Sequence, residues 1–90
     1  MKTVYKYALA LGFNKVTMPV DSQILTVQMQ DDCIQLWALV DLAQSIELPR
    51  QFIVFGTGQR LAHDPVGNYI ATVQSRGLVW HVFETSVGVS

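Results

Sequence analysis

Charge is scarce in this chain. Only 14% of its 90 residues are Asp, Glu, Lys or Arg, and the formal net charge is −1. A binder of polymeric DNA or RNA displaces counterions with a surplus of Lys and Arg. Six basic against seven acidic residues leave no such surplus, so no polymeric nucleic acid partner is expected. Disorder is excluded by the same arithmetic, because it needs high net charge with low hydrophobicity, and half of this chain is hydrophobic. Cysteine is scarcer still. Cys33 alone rules out an intrachain disulfide and any multi-thiolate metal site; it precedes the apolar Ile34 and reads as a small packed residue. Histidine is limited to His63 and His81, neither with a second ligand at metal-site spacing, so no metal and no cofactor are expected. Long apolar runs are missing too. Leu36–Val40 reaches five residues, against ~18 for a membrane helix. Met1-Lys2-Thr3-Val4-Tyr5-Lys6-Tyr7 has no apolar stretch after its basic residues, as a signal peptide would. The expected setting is the cytoplasm, with no membrane partner.

What is present is a period of two. Ile24 to Gln30 places Leu25, Val27 and Met29 on one face and Thr26, Gln28 and Gln30 on the other, the pattern of a half-buried strand. Asp31-Asp32 reads as a two-residue turn. Cys33 to Asp41 returns with Ile34, Leu36, Ala38 and Val40 on one face and Gln35, Trp37 and Leu39 on the other. Both faces are apolar at its centre, which predicts a central strand or an interface. Lys2–Leu9 and Lys15–Val20 read as earlier strands separated by a turn at Gly12-Phe13-Asn14. Pro19 has no N–H and belongs at an edge or strand end.

The segment Leu42–Pro49 is the sole helix candidate and reads better as a loop with one turn. Gln51–Phe55 is strand-like and closes at Gly56-Thr57-Gly58. A loop over 59–68 follows, carrying Arg60 and His63-Asp64-Pro65. Tyr69–Arg76 and Leu78–Glu84, joined at Gly77, are the last strands. The expected architecture is one all-β domain over residues 1–84, about seven short antiparallel strands in a small barrel or sandwich with little or no helix. Residues 85–90 read as a flexible tail. Trp37, Leu39, Phe55, Val79 and Phe83 fall on faces opposite the core positions. So much surplus apolar surface predicts a homo-oligomer, a dimer or tetramer.

Catalytic patterns are wanting: no nucleophile elbow, paired-carboxylate motif or Walker loop occurs, and an enzyme is not expected. Two stretches suit a ligand. In Phe55-Gly56-Thr57-Gly58-Gln59-Arg60, paired glycines can present consecutive N–H groups to an anion, with Arg60 within reach of a phosphate; a strand leaving through a bulge explains the same glycines. In Tyr5-Lys6-Tyr7, aromatics can stack on a base while Lys6 neutralises a phosphate; a solvated strand rim explains it equally. Trp37 reads as an interface anchor or stacking surface. His81, among Val79 and Phe83, is either a hydrogen-bonded core residue or a ligand contact. His63-Asp64 reads as a solvated turn. The candidate ligand residues are therefore Tyr5, Lys6, Trp37, Gly56, Thr57, Gly58, Arg60 and His81.

Several ordered fragments carry a resemblance: Tyr5-Lys6-Tyr7, Ile24–Gln30, Leu36–Asp41, Gly56-Thr57-Gly58, Tyr69-Ile70-Ala71-Thr72 and Trp80–Glu84. Together they resemble a group of small phage-encoded proteins of this length, which look like the anti-CBASS sponges that sequester cyclic oligonucleotide signals of bacterial antiviral defence. The resemblance implies a cyclic dinucleotide ligand, an oligomer in the host cytoplasm and no catalysis. The alternative is a small phage inhibitor, like an anti-CRISPR protein, that binds a host defence protein.

Overall fold

The computed structural model describes residues 1–61 and 67–85. Seven strands account for most of them: β1 Lys2–Leu9, β2 Gly12–Pro19, β3 Gln23–Gln30, β4 Cys33–Asp41, β5 Glu47–Gly56, β6 Gly67–Ser75 and β7 Leu78–Thr85. All pairings are antiparallel, in a three-stranded sheet of order β1-β4-β3 and a four-stranded sheet of order β2-β5-β7-β6. Neither sheet closes on itself, so the all-β expectation resolves to a sandwich. Its Cα extents of 41 × 36 × 16 Å are those of two layers spaced about 10 Å apart.

The core lies between the sheets. Leu9, Val27, Ile34, Leu36, Ala38 and Val40 face it from one layer, and Met18, Phe52, Val54, Val73 and Val82 from the other. β4 pairs on both sides, the central position that is one of the two readings of its apolar faces, with Trp37 and Leu39 half-buried on the outside. The Asp31-Asp32 turn has φ of +52° and +63°, the doubly left-handed geometry that matches strand twist in two-residue hairpins. Arg76-Gly77, at +52° and +80°, repeats it between β6 and β7. Arg76 Nη2 donates to Asp32 Oδ2 at 2.7 Å, joining the two hairpin tips; at this exposure the pair contributes at most about 1 kcal/mol.

Five expectations are corrected. Cys33, expected to be packed, is exposed at the start of β4. A bulge between Ile24 and Thr26 reverses the phase of β3, so Ile24, not Leu25, joins Val27 and Met29 inside, and Leu25 is exposed. Gly12–Asn14 is strand rather than turn. The Asn14 amide bonds both the N–H and the carbonyl of Ala10 at 2.8 Å, standing in for a backbone partner across the real turn. β5 begins at Glu47 and runs through Pro49. The proline is tolerated because pairing with β7 starts only at Gln51, leaving one neighbour, β2, at Pro49. Thr85 pairs with both Gln51 and Gly67 and belongs to β7, not to a tail.

Two polar features hold the layers in place. Arg50 donates to both carboxylate oxygens of Glu84, at 2.6 and 2.7 Å, and to the Ser22 carbonyl at 2.5 Å. Ser22 lies in the crossover from β2 to β3, so Arg50 ties that crossover to the four-stranded sheet. Gly67, with φ of +141°, packs against the carbonyl oxygen of Glu84, where a Cβ would overlap it. Gly67→Ala is expected to lower stability by about 1–3 kcal/mol through overpacking, read as a lower urea midpoint with unchanged slope.

Candidate functional site

Cross-strand partners in an antiparallel sheet share a face, so the register of β2, β5, β7 and β6 lays out the outer face of the four-stranded sheet row by row. One row is Phe13, Ile53, Phe83 and Tyr69; the next is Phe55, His81 and Thr72. Phe13 and Tyr69 are 70% and 58% exposed, while Ile53, flanked by Phe13 and Phe83, is only 3% exposed. The Phe55 ring lies 5.7 Å from Phe83 at an interplanar angle of 24° and 5.7 Å from His81. Tyr69 meets Phe83 edge-on at 5.5 Å. These are ordinary aromatic pair geometries, and they join the rings into one surface.

A polar chain borders that surface. Thr57 Oγ1 and His81 Nε2 share a hydrogen bond of 2.7 Å. His81 Nδ1 and Thr72 Oγ1 share one of 3.1 Å, and the Tyr69 hydroxyl meets Thr72 Oγ1 at 2.8 Å. A hydroxyl against an imidazole held by a third group has the outline of a nucleophile and its base. Two parts of that machinery differ here. The third group is the neutral Thr72 rather than a carboxylate, and the N–H groups beside Thr57 are already engaged. Thr57 N–H donates to the Val79 carbonyl at 3.2 Å, and Gly56 N–H to Gln59 Oε1 at 3.0 Å.

Those bonds also bear on Gly56-Thr57-Gly58. Gln59 N–H donates to the Gly56 carbonyl at 3.0 Å, so this stretch is a closed turn in which the Gly56 and Thr57 N–H groups are engaged. Gly56 has a packing role: a Cβ there would lie 3.3 Å from the Trp80 ring. Gly58, at φ +81°, completes the turn. Arg60 lies beyond it, exposed. His63-Asp64 lies outside the described residues.

Of the sequence candidates, the fold brings Thr57 and His81 together and pairs Lys6 with Trp37, but on opposite outer faces of the sandwich. One chain cannot wrap both groups around a single small ligand. Lys6 Nζ donates to Gln30 Oε1 at 2.7 Å, beside a shallow apolar depression lined by Val4, Leu25, Thr26, Gln28 and Trp37. Tyr5 and Tyr7 project to the other side of β1, with Ala38 and Leu36. Burial, with the Glu47 carboxylate and Tyr5 adding to it, pushes the Tyr7 phenol above its ordinary value. Tyr5 is thereby separated from Lys6 and Trp37, because adjacent strand residues point to opposite faces.

Phe13, Tyr69 and Thr72 were not legible as site residues. Their one signal was an apolar or hydroxyl residue at the outward phase, and a bulge between Tyr69 and Ala71 breaks that phase in β6. Among the described residues no three His, Cys, Asp or Glu side chains converge as a metal centre needs, and no helix is long and apolar enough to cross a membrane. The family model described as a domain of unknown function (DUF7352) matches residues 1–89. No curated protein and no solved structure matches the chain.

Proposed function

We propose that this chain, which belongs to the DUF7352 family of domains of unknown function, is a non-catalytic phage protein that sequesters a cyclic oligonucleotide, a cyclic dinucleotide above all, in the host cytoplasm. The observation that carries this reading is the Thr57–His81 hydrogen bond of 2.7 Å beside the Phe55 ring. It assembles donors, acceptors and an aromatic surface from β5 and β7. A cyclic dinucleotide presents two flat bases and two phosphates, and such a surface offers partners to a base and to its polar edge. Binding without cleavage agrees with an imidazole oriented by a neutral hydroxyl and with Gly56 and Thr57 N–H groups already bonded within the chain, because acyl or phosphoryl transfer draws most of its rate from donors aimed at developing charge.

The apolar outer faces of both sheets support an oligomer. A second reading, an inhibitor that docks on a host defence protein, is favoured by the apolar depression around Trp37 and Leu25. A thermal-shift screen against cyclic di- and trinucleotides, with mass by size-exclusion light scattering, separates the two. Sequestration predicts a ligand-dependent rise in melting temperature, since a ligand that binds only the native state must stabilise it. It also predicts that the nucleotide is recovered intact after the protein is heat-denatured. No shift with any of them moves the inhibitor reading ahead, and time-dependent cleavage abolished by His81→Ala overturns the non-catalytic assignment.

A further inference from the structure

We infer that the outer face of the four-stranded sheet is a nucleobase-stacking site, with Phe55 and Phe83 as the platform and the Thr72 and Tyr69 hydroxyls, held in place by His81, as the groups that read the edge of the base. The inference rests on the sequestration reading for its ligand, but its residues come from the sheet register alone. Bases bind exposed β-sheets where aromatic side chains on neighbouring strands form a continuous surface, and stacking tolerates any base because each has a π face. Here the two rings come from β5 and β7, strands flanked on both sides in the sheet; they are half-buried and stacked on one another at 24°, a pair that a base can extend.

The polar chain lies along one side of the rings. Both ring nitrogens of His81 are bonded, to Thr57 and Thr72, which fixes the chain. The Tyr69 and Thr72 hydroxyls can each donate or accept, which suits the mixed donor and acceptor edge of a base. Charge is complementary to a nucleotide as well. The two rows that form the site contain no carboxylate, and the neighbouring positions on this face are Lys15, Gln51, Thr85, Val79 and Gln74. Glu84 turns to the opposite side, into Arg50. Among the described residues, a phosphate attached to the base therefore meets no carboxylate in these rows and has Lys15 within the next one. A sugar is a poorer match, because gripping adjacent hydroxyls calls for planar carboxylate or amide groups, and the Gln59 amide beside Thr57 is already bonded to the Gly56 N–H.

Two probes test the assignment by amide chemical-shift mapping: adenosine 5′-monophosphate and cyclic di-AMP. Both are expected to shift Phe55, His81, Thr72 and Tyr69 while leaving Val4, Leu25 and Trp37 unmoved. Phe55→Leu and Phe83→Leu keep apolar bulk, and their unchanged folding is checked by the melting temperature. Each should weaken binding roughly 5- to 150-fold, the loss of about 1–3 kcal/mol per stacked base, and Gln28→Ala on the other sheet should have no effect. Cyclic di-AMP binding that survives both substitutions, or that shifts the Trp37 face, overturns the site and leaves sequestration standing. Adenosine monophosphate shifts confined to this face, with no affinity for any cyclic nucleotide, support the site and overturn sequestration. Silence from both probes overturns the site, and silence from every cyclic nucleotide overturns sequestration with it.

Discussion

Phe52→Ala is expected to destabilise the protein by about 3–5 kcal/mol, the range for removing a buried aromatic ring and leaving a cavity. Phe52 is the largest of the fully buried side chains, with no exposed surface, and it stands in β5 between Asn14 of β2 and Glu84 of β7. Its ring fills space between the layers that no neighbour can reach without moving a strand. Total stability in a domain of this size is about 5–15 kcal/mol, so the variant should lose a large share of it. Phe52→Leu, which keeps most of the volume, should cost less than half as much. Urea titrations of the two variants give the comparison. Equal and small losses would mean that the ring is not packed between the sheets.

The second large effect belongs to Arg50. Arg50→Ala removes both bonds to Glu84 and the donor to the Ser22 carbonyl. Breaking a buried pair from one side costs about 3–5 kcal/mol. The side chains here are 26% and 20% exposed, and solvent screening brings the expectation down to about 2–3 kcal/mol. Most of that loss is the penalty of leaving Glu84 without a partner, so the cost should shrink when the acid is removed as well. Arg50→Met with Glu84→Leu should be closer to wild type than Arg50→Ala alone. A double-mutant cycle measures this directly. If the single and double variants lose equally, the bidentate pair is not what holds the crossover.

Much of the architecture was legible in local patterns. The alternation in Ile34, Leu36, Ala38 and Val40 placed all four residues in the core, and the apolar residues between them on the opposite face placed β4 in the middle of a sheet. The paired aspartates between two alternating runs marked a hairpin turn. Pro49 misled, because a proline reads as a break in any strand that is taken to have neighbours on both sides. Asn14 misled for a related reason: its amide does the work of a backbone partner from within a strand.

The candidate site was legible only in pieces. Thr57 and His81 were singled out for separate reasons, an anion turn and a histidine among apolar neighbours. Their hydrogen bond joins residues 24 positions apart and depends on β5 lying beside β7 rather than beside β6. Tyr5, Lys6 and Trp37 were candidates for the same ligand, and the sandwich puts them on other faces.

The sequence by itself determined that the chain forms β-strands, where most of them run and, in unbroken strands, which residues turn inward, because pleating alternates side chains every residue whatever the strand pairs with. Tertiary structure alone decided which strands become neighbours, and hence that Phe55, Phe83, His81, Thr72 and Tyr69 form one surface. It also decided the phases of β3 and β6. A bulge is an extra residue accommodated against a particular partner strand, and one added residue exchanges the inner and outer faces of everything beyond it.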